Sequence, residues 1–129
     1  RDELPPGAIV RGRDERLGQV FRNLIDNAMS FSPAGGKVIV TALRHEVVAR
    51  VTVEDEGPGI PPDNLESIFE RFYTERPGDT FGRNSGLGLS IARQIIEGAG
   101  GRIYAENRAP GNQQGAGARL IVELPLVHV

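Results

Sequence analysis

The spacing of apolar residues along the chain predicts two long amphipathic helices. In the first helix the apolar positions recur every three or four residues, which places them on one buried face: Leu17, Val20, Phe21, Leu24, Ile25 and Ala28. Asp14 can cap the start of this helix, and the Pro-Ala-Gly-Gly segment at residues 33–36 ends it. The second helix covers residues 87–97 and ends at Gly98. Each helix therefore has one face that must be buried against another layer.

Between and after these helices, alternating or β-branched runs predict short strands. They cover residues 8–10, 37–43, 47–54, 102–107 and 118–124. The second and third strands form a hairpin that turns around His45 and Glu46, and Pro61 begins a short helix after it. Helices that alternate with hairpin-connected strands predict an α+β fold, a two-layer α/β sandwich with a mixed, mostly antiparallel sheet and its helices on one face.

Composition limits the possible functions without choosing one. The 129 residues are enough for one domain with a single core, and the net charge of −2 gives no electrostatic reason to expect nucleic-acid binding. The absence of cysteine excludes disulfides and thiolate metal sites, and no apolar run approaches the roughly 20 residues of a membrane-spanning helix. Because the chain begins at Arg1 without an initiator Met, we expect residues 1–129 to be one domain of a longer protein.

Two glycine-containing loops carry the candidate chemistry. In residues 55–60, Asp-Glu-Gly-Pro-Gly-Ile, the glycines let the backbone approach a flat ligand closely while the Asp55 carboxylate hydrogen-bonds to it. Residues 86–89, Gly-Leu-Gly-Leu, open the second helix, whose N-terminal N–H groups can bind phosphates. Upstream, Asn23 and Asn27 lie four residues apart on the first helix. Together these features predict a nucleotide site.

Five segments of the chain resemble, in order, the sequence boxes of the sensor histidine kinases. The segments are residues 23–28 for the N box, 55–60 for G1, 68–73 for F, 85–91 for G2, and 115–118 running to 124–125 for the closing glycine box. Any one box would be weak evidence, but five in the family's order are strong. Residues 72–77 and 81–86 are also similar to the ChvG/ExoS branch. The resemblance implies the Bergerat-type ATP-binding fold of the gyrase, Hsp90, histidine kinase and MutL superfamily.

By this resemblance the protein binds ATP with Mg²⁺ and transfers the γ-phosphoryl group to a histidine in two-component signal transduction. Asn27 is then the magnesium ligand, and Asn23 is a second polar contact near the metal and phosphates. An amide oxygen suits magnesium, which shares its remaining positions with water and phosphate. The alternative for both residues is a pair of exposed asparagines.

The resemblance also assigns residues to the base and to the phosphates. Asp55 reads the exocyclic amine of adenine, and the residues that line the nucleotide beside it are Phe31, Gly57, Gly59, Ile60 and Tyr73. The G2 residues that bind the nucleotide are Ser85, Gly86, Leu87, Gly88 and Leu89. Asp55 could instead be an ordinary turn residue, and Phe31 and Tyr73 could be plain core aromatics.

Residues 72–86 lack any periodicity and correspond to the ATP lid of the family. The family often has a basic residue at the positions of Ser30 and Thr74, so two usual phosphate contacts are missing here. We therefore expect Arg76 or Arg83 to close over the triphosphate, although each arginine could equally be a surface charge.

Position 23 discriminates between two reactions of the superfamily. Related ATPases of the gyrase, chaperone and mismatch-repair type carry a Glu there as general base for water. The amide of Asn23 cannot accept that proton, so the sequence favours phosphoryl transfer over hydrolysis. Because this position discriminates between the two reactions, Asn23 is the catalytic candidate.

The phosphoacceptor histidine is not found in this chain. His45 and Glu46 imitate the first two residues of the family's acceptor box, but they lie on a predicted hairpin and no Pro follows at the family's spacing. We therefore expect two partners, the protein's own dimerisation (histidine phosphotransfer) domain and the receiver domain of a response regulator. We expect no nucleic acid as a partner. We also expect no direct membrane contact from this domain, because the resemblance makes it the cytoplasmic domain of an inner-membrane-anchored bacterial sensor kinase. The alternatives are a nucleotide-sensing module without useful transfer, and a serine kinase of the anti-sigma-factor type, against which the F box argues.

Overall fold

The computed structural model describes residues 14–31, 35–70, 88–108 and 117–126 of the chain. In chain order the elements are helix α1 (Asp14–Phe31), strands β1 (Ile39–His45) and β2 (Val48–Glu54), two 3-10 turns (Pro62–Asn64 and Ser67–Phe69), helix α2 (Gly88–Gly98), and strands β3 (Arg102–Asn107) and β4 (Ala118–Pro125). In this part of the chain, no helix has both the length and the apolar character to cross a membrane.

The four strands form one sheet in the order β1-β2-β4-β3, and every neighbouring pair is antiparallel. The last strand therefore lies between two strands that precede it in the chain. At one end of the sheet, Ala118 at the start of β4 pairs with Asn107 at the end of β3, and Arg119 pairs with Glu54 at the end of β2. Three distant chain segments meet at this edge, where the candidate site lies.

Both helices bury their apolar faces in one core with the sheet. Val20 and Leu24 of α1 and Ile96 of α2 are fully buried, and so is Val122 of β4. Burying one such side chain contributes about 1.5–3 kcal/mol, which explains why the periodic stripes in the sequence become the inner surfaces of the helices.

The other face of the sheet holds a buried carboxylate in an ion-pair cluster. Glu123 of β4 is 6% exposed, and its two oxygens accept hydrogen bonds from Arg50 and Arg102, each at 2.7 Å, and from the hydroxyl of Tyr104 at 3.2 Å. Burial alone would raise the pKa of Glu123, but the hydrogen bonds and charges of the two arginines outweigh it and lower that pKa. The pairing lets β4 be buried on both faces.

The structure confirms the predicted fold class, and the ends of the elements lie close to those expected. One detail of the hairpin was wrong. The turn consists of Glu46 and Val47 rather than His45 and Glu46, because His45 still pairs with Val48 and Glu46 takes the positive φ of 56° that the tight turn requires. The predicted strand at residues 8–10 lies outside the described residues, and the sheet that the described residues form is entirely antiparallel.

Candidate functional site

The loop of residues 55–60 leaves β2 at the sheet edge and is anchored at once to β4. The backbone N–H of Asp55 donates to the carbonyl oxygen of Ala118 at 3.0 Å. The Asp55 carboxylate oxygen Oδ1 in turn accepts from the backbone N–H groups of Gly57 at 2.8 Å and Ala118 at 3.2 Å. Within the described part of the chain both hydrogen bonds to this carboxylate end on Oδ1, so the second oxygen, Oδ2, can accept from a ligand.

The Asp55 carboxyl is only 6% exposed, which affects its ionisation. Burial raises the pKa of Asp55 above its ordinary value, while the backbone hydrogen bonds from Gly57 and Ala118 and the charge of Arg108 act in the opposite direction. Asp55 is therefore a buried acceptor with a fixed orientation, and its bond from the Gly57 N–H is also the contact made by an Asp turn residue, the alternative that the sequence left open.

Two glycines permit the backbone conformation of this loop: Gly59 lies within it, and Gly117 packs against its first residue. Gly59 has a φ of +87°, a conformation that few side chains tolerate. Gly117, just before β4, has a φ of +92°, and a Cβ atom built on it would overlap the carbonyl oxygen of Asp55. The close approach of the closing glycine box to Asp55 therefore requires glycine at position 117.

The two ends of the loop are held by Asn107 and Arg108, two residues that were not predicted from the sequence. The side-chain amide of Asn107 accepts from the Ile60 N–H at 2.7 Å and donates to the Ile60 carbonyl at 2.8 Å. Arg108 donates from its guanidinium to the carbonyl oxygen of Asp55 at 2.9 Å and pairs with Glu54 at 3.1 Å. Their only sequence signal is their position at the end of a predicted strand that leads toward the closing glycine box.

The two helices supply a second group of candidate residues. The side-chain Nδ2 of Asn23 on α1 donates to the carbonyl oxygen of Gly88, the first residue of α2, at 3.2 Å. Asn23 thus joins the N box to the G2 helix through its nitrogen. Asn27 lies one turn further along α1 and is half-buried, and its backbone oxygen accepts a hydrogen bond from the Ser30 hydroxyl at 2.9 Å.

The remaining predicted residues divide into two groups. Leu89 is half-buried and packs against the core, and Phe31 is the last residue of α1. The predicted site residues that lie outside the described residues are Tyr73, Arg76, Arg83, Ser85, Gly86 and Leu87, together with nearly all of the predicted lid.

No group of three or more His, Cys, Asp or Glu side chains that could hold a metal occurs within the four described ranges. A magnesium ion bound there would depend on amide oxygens, water and the phosphates of its nucleotide, a donor set that suits this hard cation. The side chains of Asn23 and Asn27 each carry an amide oxygen of this kind, and both lie on helix α1.

Comparison with known proteins identifies relatives over nearly the whole chain. The family model described as "Histidine kinase-, DNA gyrase B-, and HSP90-like ATPase" matches residues 12–128. The sensor protein ChvG of Rhizobium meliloti is 50% identical over 127 residues, which are 97% of this chain and 22% of ChvG. The chain thus spans about a fifth of that relative's length.

Solved structures give the same result. A mycobacterial sensor histidine kinase, MprB, superimposes with a TM-score of 0.82 at 33% identity, over 95% of this chain and 78% of that one. The histidine kinase ThkA, solved in complex with the response regulator protein TrrA, superimposes with a TM-score of 0.68 at 38% identity, over 86% of this chain and 28% of that one.

Proposed function

We propose, because the chain belongs to the family of histidine kinase-, DNA gyrase B- and HSP90-like ATPases, that it binds magnesium-ATP and transfers the γ-phosphoryl group to a histidine on a separate dimerisation domain. The predicted resemblance to sensor histidine kinases and to their ChvG branch is confirmed by the family match and by the 50% identity to ChvG. This similarity favours the kinases over the other members of the family.

The observation that carries the nucleotide assignment is the geometry of Asp55. Its carboxylate is buried and fixed by two backbone N–H groups on one oxygen, so the other oxygen has a defined direction. The exocyclic amine of adenine donates a hydrogen bond, whereas guanine presents a carbonyl at the equivalent position and would be repelled. A fixed carboxylate therefore supports adenine as the base.

The helix pair supports transfer rather than hydrolysis. Asn23 has no basic group to activate water, and its Nδ2 is already used in the contact with Gly88. The N-terminus of α2 would stabilise the phosphate charge through its free N–H groups. Bound magnesium would neutralise further phosphate charge, with Asn27 as its protein ligand. We propose that Arg76 or Arg83 supplies the remaining positive charge.

The acceptor and the signalling partner lie outside this domain in our proposal. His45 is the exposed last residue of β1, whereas the family's acceptor histidine lies on a helix. We therefore assign the phosphorylated histidine to the protein's own dimerisation domain. The complex of ThkA with TrrA supports a response regulator as the next partner. We place the domain on the cytoplasmic side of an inner-membrane-anchored bacterial kinase, as its similarity to sensor proteins suggests.

One observation favours a second candidate function, a nucleotide-sensing module without useful transfer. Where the sensor kinases often have a basic residue, Ser30 offers a hydroxyl that donates to the carbonyl oxygen of Asn27 on its own helix. The site would then have one cation fewer to stabilise the transferring phosphoryl group.

The first test compares ATP and GTP binding by calorimetry for the unmodified domain and for Asp55→Asn. Loss of a charge-assisted hydrogen bond of about 1.5–3 kcal/mol should weaken ATP roughly tenfold to a hundredfold and reduce the preference over GTP. Asp63→Asn, the same change at an exposed position, is the control. An unmodified domain that binds both nucleotides equally would contradict the assignment of Asp55.

A second measurement separates the kinase from the sensing module. The domain is mixed with the dimerisation domain of its own protein and with γ-labelled ATP, and acid-labile phosphohistidine is followed. Transfer that depends on magnesium supports the kinase, whereas binding without transfer supports the module. Steady-state phosphate release at about 1 s⁻¹ or faster would instead indicate an efficient ATPase.

A further inference from the structure

The side chain of Asn107 takes the place of a strand beside the 55–60 loop. Its oxygen accepts from the Ile60 N–H at 2.7 Å and its nitrogen donates to the Ile60 carbonyl at 2.8 Å, so one amide satisfies both backbone groups of a residue 47 positions away. A neighbouring β-strand would provide the same pair of bonds. The bonds matter because the Ile60 side chain is buried in the core, where unpaired backbone groups are costly.

Arg108 fixes the opposite end of the same loop. Its guanidinium donates to the Asp55 carbonyl oxygen at 2.9 Å, and its own backbone N–H donates to the Gly117 carbonyl at 3.0 Å. Glu54, which precedes Asp55, pairs with the same guanidinium at 3.1 Å. The peptide group that follows Asp55 is thus held by Arg108 and packed closely against Gly117, which restricts the direction of the Asp55 side chain.

Between these two ends the loop adopts neither helix nor strand, and Gly59 has a φ of +87°. The loop includes a hydrogen bond of its own, from the Gly57 N–H to the Asp55 carboxylate at 2.8 Å, and Glu56 accepts from the backbone N–H of Lys37 at 2.9 Å in an exposed contact. The bonds at Asp55 and Ile60 anchor the two ends of the loop to the sheet side of the molecule.

From these contacts we infer that Asn107 and Arg108 are positioning residues for nucleotide recognition: they hold the 55–60 loop in the register at which Asp55 can read an amine. This inference rests on the proposed function, because it concerns the same site. Neither residue has to touch the nucleotide. Their effect passes through the backbone of Asp55 and Ile60.

The test uses Asn107→Ala and Asn107→Asp in the present chain. The alanine variant removes both bonds to Ile60, so exchange of the Ile60 amide hydrogen, followed by NMR without nucleotide, should accelerate about tenfold. The aspartate variant keeps an oxygen for the Ile60 N–H but loses the donor to the Ile60 carbonyl. It should therefore keep the Ile60 amide protected while still loosening the loop.

Nucleotide selectivity is the readout that a loss of stability alone would not change. In both Asn107 variants we expect ATP affinity to fall about tenfold and GTP affinity to fall less, so that the ATP/GTP ratio decreases. Arg108→Lys, which keeps the charge but loses the forked guanidinium contacts, should have the same direction of effect. The control is Ile103→Val, which removes a buried methylene from the core side of the same strand and should leave the ratio unchanged.

The outcomes distinguish this inference from the proposed function. If the unmodified chain prefers ATP and Asp55→Asn removes that preference, but the Asn107 and Arg108 variants keep the ATP/GTP ratio, the positioning role is wrong. If the unmodified chain shows no preference at all, the proposed function itself fails. A variant that does not fold is replaced by the milder Asn107→Asp or Arg108→Lys, for which the same ratio decides.

Discussion

The two described parts of the candidate site are held in place by different means. At the 55–60 loop, hydrogen bonds with Ala118 of β4 and with Arg108, which directly follows β3, fix the N–H, the carbonyl and the carboxylate of Asp55. Where α1 meets α2, apolar side chains pack in a shared core, and Asn23 adds a hydrogen bond to Gly88. The loop is thus fixed by polar contacts before any ligand binds, whereas the helices keep amide oxygens available.

This difference matches the two tasks we propose for the site. Base recognition discriminates between a donor and an acceptor at one position, so it requires an acceptor whose direction is already set. Metal and phosphate binding requires ligand atoms with free lone pairs that the nucleotide completes.

Gly117→Ala should be severely destabilising. Alanine at a φ of +92° is strained, and its Cβ would overlap the Asp55 carbonyl oxygen, so we expect the free energy of unfolding to fall by about 2–4 kcal/mol. Gly98→Ala is the matched control, since a Cβ at the end of α2 meets no atom within 4 Å. That variant should be neutral or slightly stabilising. Equal losses for both variants in urea denaturation would show that the contact with Asp55 does not restrict position 117.

Substitutions of the two asparagines of α1 should have different effects, one on stability and the other on metal binding. Asn23→Ala removes the bond to Gly88 and should lower the free energy of unfolding by about 1 kcal/mol. Asn27→Ala should leave stability closer to that of the unmodified chain but remove the dependence of ATP affinity on magnesium. Calorimetry with and without magnesium measures the second effect. Unchanged magnesium dependence in Asn27→Ala would show that the metal ligand is a different residue.

The smallest effect concerns pH and the Asp55 carboxyl. Because the pKa of Asp55 in the folded state is raised above the ordinary 3.8, its contribution to stability is present below that pH and is lost as the pH rises through the raised value. The stability of the unmodified chain relative to Asp55→Asn should therefore decline over this window. ATP affinity relative to the same variant should increase, because the ionised carboxylate is the stronger acceptor. Changes in the same direction would contradict the proposed role of the carboxylate.

The local pattern of the sequence was sufficient to predict helix α1, the family and the candidate site residues of this protein. The apolar spacing of Val20 and Leu24 predicts a helix because helical periodicity is a property of neighbouring residues, and the structure has α1 there. The boxes at residues 55–60 and 23–28 indicated the family and the candidate site residues in the same way, since each box is a short contiguous segment.

Only the tertiary structure revealed how those segments are held. β4 inserts between β2 and β3, and this arrangement alone brings Gly117 and Arg108 to Asp55 and places Asn107 beside Ile60. The packing of α1 against α2 directs the amide nitrogen of Asn23 to Gly88, 65 residues away. Such contacts join residues whose separation follows no helical or strand period, so their partners depend on the order of strands in the sheet and on the packing of the helices. The sequence by itself therefore determined which residues are candidates for chemistry, and the packing of the sheet and helices decided which residues position them.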